Sequence, residues 1–202
     1  REVTLEAIAK IGSAKAQGAF LNLLHHADPQ MRIMGLSGLA RLNAPMLAES
    51  VLKLLDDSAV EVRLRSVQTA RDAGLPLSLD KMRALLNDES HDIRFVVIDI
   101  IGQLRLAELR PVLNDAIRSD DMWIAYHAIG ALGQFRDEEA KGRLLKIMAG
   151  SQDFLRIAAV KTLGEWGDEA LADELEIYLD DKNLDVARSV IQAIDKLKGL
   201  EF

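Results

Sequence analysis

An internal repeat with a period of 31 residues constrains the fold more than any other feature of this sequence. An apolar residue followed by arginine recurs at Met31-Arg32, Val62-Arg63, Ile93-Arg94 and Leu155-Arg156. The same register falls at Arg1, Ala125 and Ala187, and the last two keep an apolar residue before them. Seven registers of one unit predict an array of stacked repeats.

Two apolar patterns with helical spacing recur in each repeat. Counted from the register position, offsets −1, 4, 7 and 10 are mostly apolar and offsets 3 and 6 mostly small, which is one face of a helix that we call B. Offsets 15, 19, 22 and 23 give a second apolar face, on a helix that we call A. Seven B and six A helices are predicted, and no segment alternates as a strand would. One hairpin cannot bury its own apolar face, whereas stacked hairpins can.

Short acidic turns separate each A helix from the following B helix, and their side chains suit the capping of helix B. The turns hold Asp28, Asp56, Asp57, Asp88, Asp120, Asp121, Asp153, Asp180 and Asp181. Glycines near the ends of B helices suit a left-handed cap. These are Gly12, Gly74 and Gly167. Glycines inside helices predict close contact between helices. These are Gly35, Gly38, Gly102, Gly130, Gly133 and Gly164.

Composition excludes several classes of protein. The chain is 49% hydrophobic, too apolar for disorder, and it has no cysteine for a disulfide, a thiolate zinc site or a nucleophile. No apolar run is long enough to cross a membrane. A net charge of −7 argues against non-specific binding of nucleic acid. Because the chain begins with Arg1 rather than Met, we expect a fragment of a longer chain, and we expect a cytoplasmic location.

The pattern D-x-x-x-V-R-x-x-A-x-x-A-L-G resembles the HEAT repeat, in the short form of phycobilisome-lyase-like HEAT proteins. Residues 120–133 (DDMWIAYHAIGALG) and 155–168 (LRIAAVKTLGEWGD) match it best. The resemblance implies an all-α fold, a right-handed α-α superhelix of about 6.5 helical hairpins, as one domain over residues 1–202, with the B helices on the concave side. It also implies a structural ladder in which turn aspartates bind arginines of the B helices. Those arginines are Arg32, Arg63, Arg94 and Arg156.

No pattern predicts chemistry, so we expect no enzyme activity, no catalytic residue, no metal site and no cofactor. The four histidines, His25, His26, His91 and His127, lack the spacing of metal ligands, and none is followed by the glutamate that iron-binding HEAT enzymes use. Neither a phosphate-binding glycine loop nor a nucleophile motif is present. A basic cluster at Arg63, Arg65 and Arg71 is the one local feature that favours nucleic acid.

The residue after the register position turns away from the core and yet is apolar in the central repeats. This column holds Ile33, Leu64, Phe95, Tyr126 and Ile157, with Glu2 and Arg188 at its ends. The next column adds Met34, Val96 and His127. We hypothesise an apolar stripe along the concave side that receives a partner helix or peptide, with Phe95 and Tyr126 as anchors and Trp123 extending it. The alternative is packing of this column against the neighbouring B helix. Trp166 occupies a core column and is expected to be structural.

Three functions are compatible with this sequence. A non-catalytic scaffold or adaptor that binds another protein is favoured, because solenoids provide long binding surfaces and no active site is predicted. An accessory subunit of a bilin (phycobilisome) lyase-type system is the second, and it rests on the family resemblance alone. A nucleic-acid-binding HEAT-like protein is the third. The sequence identifies neither the partner nor the oligomeric state.

Overall fold

The computed structural model describes residues 14–200, and within that range the regular structure is entirely helical. The A helices are α1 (Ala14–Leu23), α3 (Leu47–Leu54), α5 (Leu79–Leu85), α7 (Arg110–Ala116), α9 (Glu138–Met148) and α11 (Ala170–Leu175). The B helices are α2 (Pro29–Arg41), α4 (Val60–Asp72), α6 (His91–Gln103), α8 (Met122–Gly133), α10 (Asp153–Gly164) and α12 (Leu184–Leu197). Single 3-10 turns at Ala107–Leu109 and Glu176–Tyr178 adjoin α7 and α11.

The alternation of A and B helices confirms the predicted fold class, an α-helical solenoid. The B helix predicted at Arg1 lies outside the described residues. The chain forms two compact units, one ending at Val97 and the other beginning at Ile98, so the division falls within α6. That the whole chain is one domain remains a prediction.

The predicted apolar columns form the core of each unit. In the first unit, the B-helix residues Leu36, Leu39 and Val67 are fully buried, together with Phe20 and Val51 of the A helices. In the second unit the corresponding buried residues come from α8, α9, α10, α11 and α12. They include Ile129, Leu132, Leu144, Met148, Val160, Leu163, Leu171, Leu175 and Val190. Burial of these columns is the main free-energy gain of the fold.

The residues that begin and end the B helices recur with the repeat. Asp28 and Asp121 cap α2 and α8 by accepting hydrogen bonds from amides of the first turn. Each of five consecutive B helices is followed by a residue with positive φ, spaced by 31 positions. These are Asn43, Gly74, Arg105, Arg136 and Gly167. Left-handed caps are therefore confirmed at Gly74 and Gly167, whereas Gly12 lies outside the described residues.

Arginine–aspartate pairs join consecutive turns in three places. Arg32 donates from Nε and Nη2 to Asp57 at 2.7 and 2.6 Å, and from Nη1 to the carbonyls of His26 and Ala27 in its own turn. Asp57 also accepts from the Ala59 amide at 2.9 Å. One guanidinium therefore links the turn before its own helix to the turn of the next repeat.

The same arrangement recurs at Arg63 with Asp88 and at Arg156 with Asp181. In each pair the aspartate stands 25 positions after the arginine. Arg94 differs, because the residue 25 positions further on is Ser119, and the buried Nε of Arg94 has no hydrogen-bond partner among the described residues. Arg94 therefore lacks the aspartate that was expected 25 positions after it.

The pairing lowers the pKa of the aspartates. A hydrogen bond from Arg63 holds the pKa of Asp88 below its usual value, against the opposing effect of burial. At Asp57, burial raises the pKa, but the hydrogen bonds from Arg32 and the Ala59 amide outweigh it, so that the net shift is downward. These carboxylates therefore stabilise the fold above the pKa of the unfolded chain, about 3.9, and lose that contribution as the pH falls through their folded-state pKa.

We predict that Asp57→Asn lowers the free energy of unfolding by about 3 kcal/mol at pH 7, because the largely buried Arg32 loses its charged partner. The deficit relative to the wild type should shrink below about pH 4, where Asp57 itself becomes protonated. Urea unfolding at several pH values measures both. Asp56→Asn is the matched control, since Asp56 is exposed and pairs with Lys81 at the surface, worth under about 1 kcal/mol. Equal losses in both variants would contradict a structural role for the Arg32 pair.

Glycines inside the helices fall into two groups. A Cβ at Gly102 would lie 2.6 Å from the Ala131 Cα, and one at Gly38 would lie 2.4 Å from the Phe20 ring. These positions confirm close helix contact. At Gly130 the expectation of close helix contact is wrong, because a Cβ there would meet nothing within 4 Å. Gly130 lies on the open side of α8.

We predict opposite effects for the same substitution at two glycines of the second unit. Gly102→Ala should lower stability by about 1–3 kcal/mol, because backbone atoms of Ala131 would have to move. Gly130→Ala should raise stability by about 0.5–1 kcal/mol, because alanine favours the helix and meets no neighbour. Thermal unfolding of both variants tests this, and a loss at Gly130 would contradict the open environment of that position.

Candidate functional site

The structure places the residues of the predicted stripe at different depths. In the first unit, Ile33, Met34, Leu64 and Phe95 are half-buried. Val96 is only 8% exposed, so it does not line the surface as expected. In the second unit, Ile157 and His127 are half-buried, and Tyr126 is 38% exposed. A stripe shared by both units remains a prediction.

Tyr126 and three other large apolar side chains lie at the surface of the second unit. Met122, Trp123, Tyr126 and Phe154 are 58%, 57%, 38% and 36% exposed. The Trp123 ring stands edge to face with Tyr126 and Phe154, at centroid distances of 5.9 and 5.6 Å. Tyr126 and Phe154 are also 5.6 Å apart. We call these four residues the aromatic patch.

The first turns of α8 and α10 position the aromatic patch. Trp123 and Phe154 occupy the same column of consecutive repeats, so stacking of the repeats brings them together. The Asp121 carboxylate accepts the Trp123 amide at 2.9 Å and thereby fixes the start of α8. Close packing of α8 on α10 is possible because Gly133 lies against Thr162.

Phe154 is the residue that the sequence reasoning missed. The signal was available in its column, two positions before the register. That column reads Gln30, Glu61, Asp92, Trp123, Phe154 and Asp185. Two aromatic residues in a column that is otherwise polar depart from the repeat pattern in consecutive repeats.

A cleft of about 490 Å³ adjoins the aromatic patch at Tyr126. Small residues, Gly130 and Ala158 among them, line it together with polar side chains. In it His127 Nδ1 lies 3.1 Å from Asp99 Oδ1. Its other polar side chains include Gln103, Gln134, Lys161 and Glu165. The cleft therefore offers hydrogen-bond donors and acceptors of both signs of charge beside an apolar anchor point.

Trp166 contributes to both the core and this cleft. It packs against the core cluster of the second unit, as expected from its column, and its ring also lines the cleft. Its Nε1 atom is buried without a hydrogen-bond partner among the described residues.

The histidines and the basic cluster are the other candidates from the sequence. Within residues 14–200, no group of three or more histidine, aspartate or glutamate side chains is arranged to hold a metal ion. In the basic cluster, Arg63 is paired with Asp88 and Glu89, and Arg71 with Asp72. None of the helices described is long and apolar enough to span a bilayer.

Stacked A–B hairpins with a continuous buried seam define an α-helical repeat protein. A family model for HEAT repeats matches residues 17–97 and 79–158. The chain therefore belongs to the HEAT-repeat family, which confirms the resemblance read from the sequence. A search of curated protein sequences finds no significant match.

Solved structures agree on the fold. An engineered protein aligns with a TM-score of 0.56 at 14% identity, covering 91% of this chain and 96% of its own. The complex of CpcE and CpcF of phycocyanin lyase from Nostoc sp. aligns with a TM-score of 0.54 at 17% identity, covering 97% and 89%. A designed armadillo repeat protein gives 0.51 at 17% identity, covering 88% and 98%. At these identities the likeness shows the fold alone.

Proposed function

We propose that this protein is a non-catalytic scaffold or adaptor that binds another protein on the surface of its B helices, with the aromatic patch as the anchor. The observation that carries the proposal is the contact of three exposed aromatic rings with one another beside Met122. Contiguous apolar surface marks interaction sites, and aromatic side chains dominate the energetics of interfaces.

Packing within the fold does not account for this patch. The column that holds Trp123 and Phe154 is polar in the other repeats, where Gln30, Glu61 and Asp92 occupy the same place. The repeat therefore folds without an aromatic residue there. Trp123 nevertheless leaves more than half of its surface in water, which is costly for a side chain of this size unless a partner covers it.

The adjoining cleft supplies the polar contacts that would orient a partner. Asp99 with His127 and the exposed Gln103 and Lys161 can bond to a helix or an extended peptide that leaves the patch. In the first unit, the half-buried Ile33, Met34, Leu64 and Phe95 belong to the same proposed kind of surface.

The bilin-lyase alternative draws on likeness of fold to the complex of CpcE and CpcF. Fold likeness does not transfer a ligand, and the protein-binding proposal has in addition the exposed aromatic patch. Mixing the protein with a bilin and recording its absorbance separates the two. A spectral change on mixing would favour the alternative.

We predict that the double substitution Trp123→Ser with Phe154→Ser strongly weakens the affinity for the partner. The protein and the double variant would serve as baits, and any protein held only by the unaltered bait would be purified for measurement of its Kd. Loss of one central aromatic anchor costs about 2 kcal/mol or more, so the Kd should rise at least about 30-fold. Circular dichroism below the melting temperature confirms that the double variant is folded.

Met46→Ser with Leu52→Ser is the matched control, because both residues are exposed apolar side chains of the first unit, at the start of α3 and within it, and neither belongs to the patch. This control should retain the partner with unchanged Kd. Identical proteins with identical Kd on all three baits would contradict the proposal.

A further inference from the structure

We propose that the segment docking on the aromatic patch is a basic one, a short stretch of another protein in which arginine or lysine stands beside apolar anchor residues. This inference rests on the proposed function and adds the chemistry of the partner. It depends on where the acidic side chains lie and on how much of the Trp123 indole is exposed.

The net negative charge of the protein comes entirely from the unit that carries the patch. Residues 98–202 hold twenty acidic and thirteen basic side chains, a net charge of −7, whereas residues 1–97 hold twelve of each. A field of one sign raises the association rate of an oppositely charged partner and repels one of like charge. The patch therefore lies in the negative field of its own unit.

Carboxylates also border the patch directly. Asp120 and Asp121 precede Met122, and Asp153 precedes Phe154. Asp120 is exposed, and the Asp153 side chain retains 46% of its surface while it bonds to Arg156. The Arg156 guanidinium is shared between Asp153 and Asp181, so a single cation faces two carboxylates.

The Trp123 indole offers a binding site for a cation. Its ring is more than half exposed, and the negative face of an indole attracts a guanidinium or ammonium group. Arginine suits this place best, because its planar group stacks on an aromatic ring while its N–H groups bond to a carboxylate such as Asp120. Aliphatic or aromatic residues of the same segment would cover Tyr126, Phe154 and Met122.

The cleft beyond Tyr126 fixes where the basic residues lie. It contains Lys161 as well as Asp99 and Glu165, so its charge is mixed. We therefore place the cations of the segment at the patch end, over Trp123, and its uncharged polar residues in the cleft. A nucleic acid is the opposite case, since its phosphates would face the acidic rim.

A library of random peptides of about 12 residues, displayed on phage, tests the inference without knowledge of the natural partner. Selection would use the unaltered protein, and peptides that also bind the Trp123→Ser, Phe154→Ser variant would be removed. We expect the remaining peptides to carry a net charge of about +2 or more with at least one large apolar residue. Replacing their arginine and lysine by glutamine should weaken binding at least about tenfold, as should raising NaCl from about 50 to about 500 mM.

Two charge variants provide a matched pair. Asp120→Asn should weaken binding of a selected peptide about two- to threefold, whereas Asp173→Asn, the same change on the A helix α11, should leave the Kd unchanged. Equal effects of the two variants would overturn the local role of the rim. Enrichment of neutral or acidic peptides, or of none that distinguishes the patch variant, would overturn the inference itself.

The outcomes separate this inference from the proposed function. A natural partner that needs the aromatic patch but docks through a neutral or acidic segment would refute the basic segment and leave the adaptor function standing. Absence of any patch-dependent partner would refute both.

Discussion

The ion pair between a B-helix arginine and the aspartate of the next turn fixes the register of consecutive repeats wherever it occurs. The Arg32 guanidinium binds two carbonyls of its own turn and both oxygens of Asp57, which in turn accepts the Ala59 amide. Both side chains are about nine-tenths buried, where an unpaired charge is expensive. Only one stacking offset satisfies all these groups, so the apolar columns of consecutive helices meet in a single register.

Sequence alone predicts what repeats and fails where the chain departs from the repeat. The period of 31 residues places the helices, the buried columns and the left-handed caps, because each follows from helical spacing. Treating the internal glycines as one group missed a difference that their columns contain. Gly130 stands five positions after the register, where the other described repeats hold polar residues, and it faces open space. Gly102 stands eight positions after the register, in one column with Gly133 and Gly164, and all three lie against the next B helix.

The same limit explains the outcome at the candidate site. Tyr126 was predicted from its column, and its exposure agrees with a surface role. Val96 follows Phe95 in the sequence and yet is buried, because successive helical residues point about 100° apart and Val96 is the one turned toward the core. Phe154 was missed because its column, two positions before the register, is polar in the other repeats apart from Trp123. The two aromatic residues in this otherwise polar column are the signal by which Phe154 could have been found.

The repeat that carries the aromatic patch also lacks the ion pair. The register position of α8 is Ala125, and the residue 25 positions further on is Gly150, so both partners are missing together. Trp123 and Phe154 touch at 5.6 Å between the same two B helices, and their contact joins the first turns of α8 and α10. An ion pair there would be inward-facing and satisfied. A partly exposed aromatic contact instead leaves apolar surface that the proposed partner would cover, so the break in the ladder coincides with the proposed binding surface.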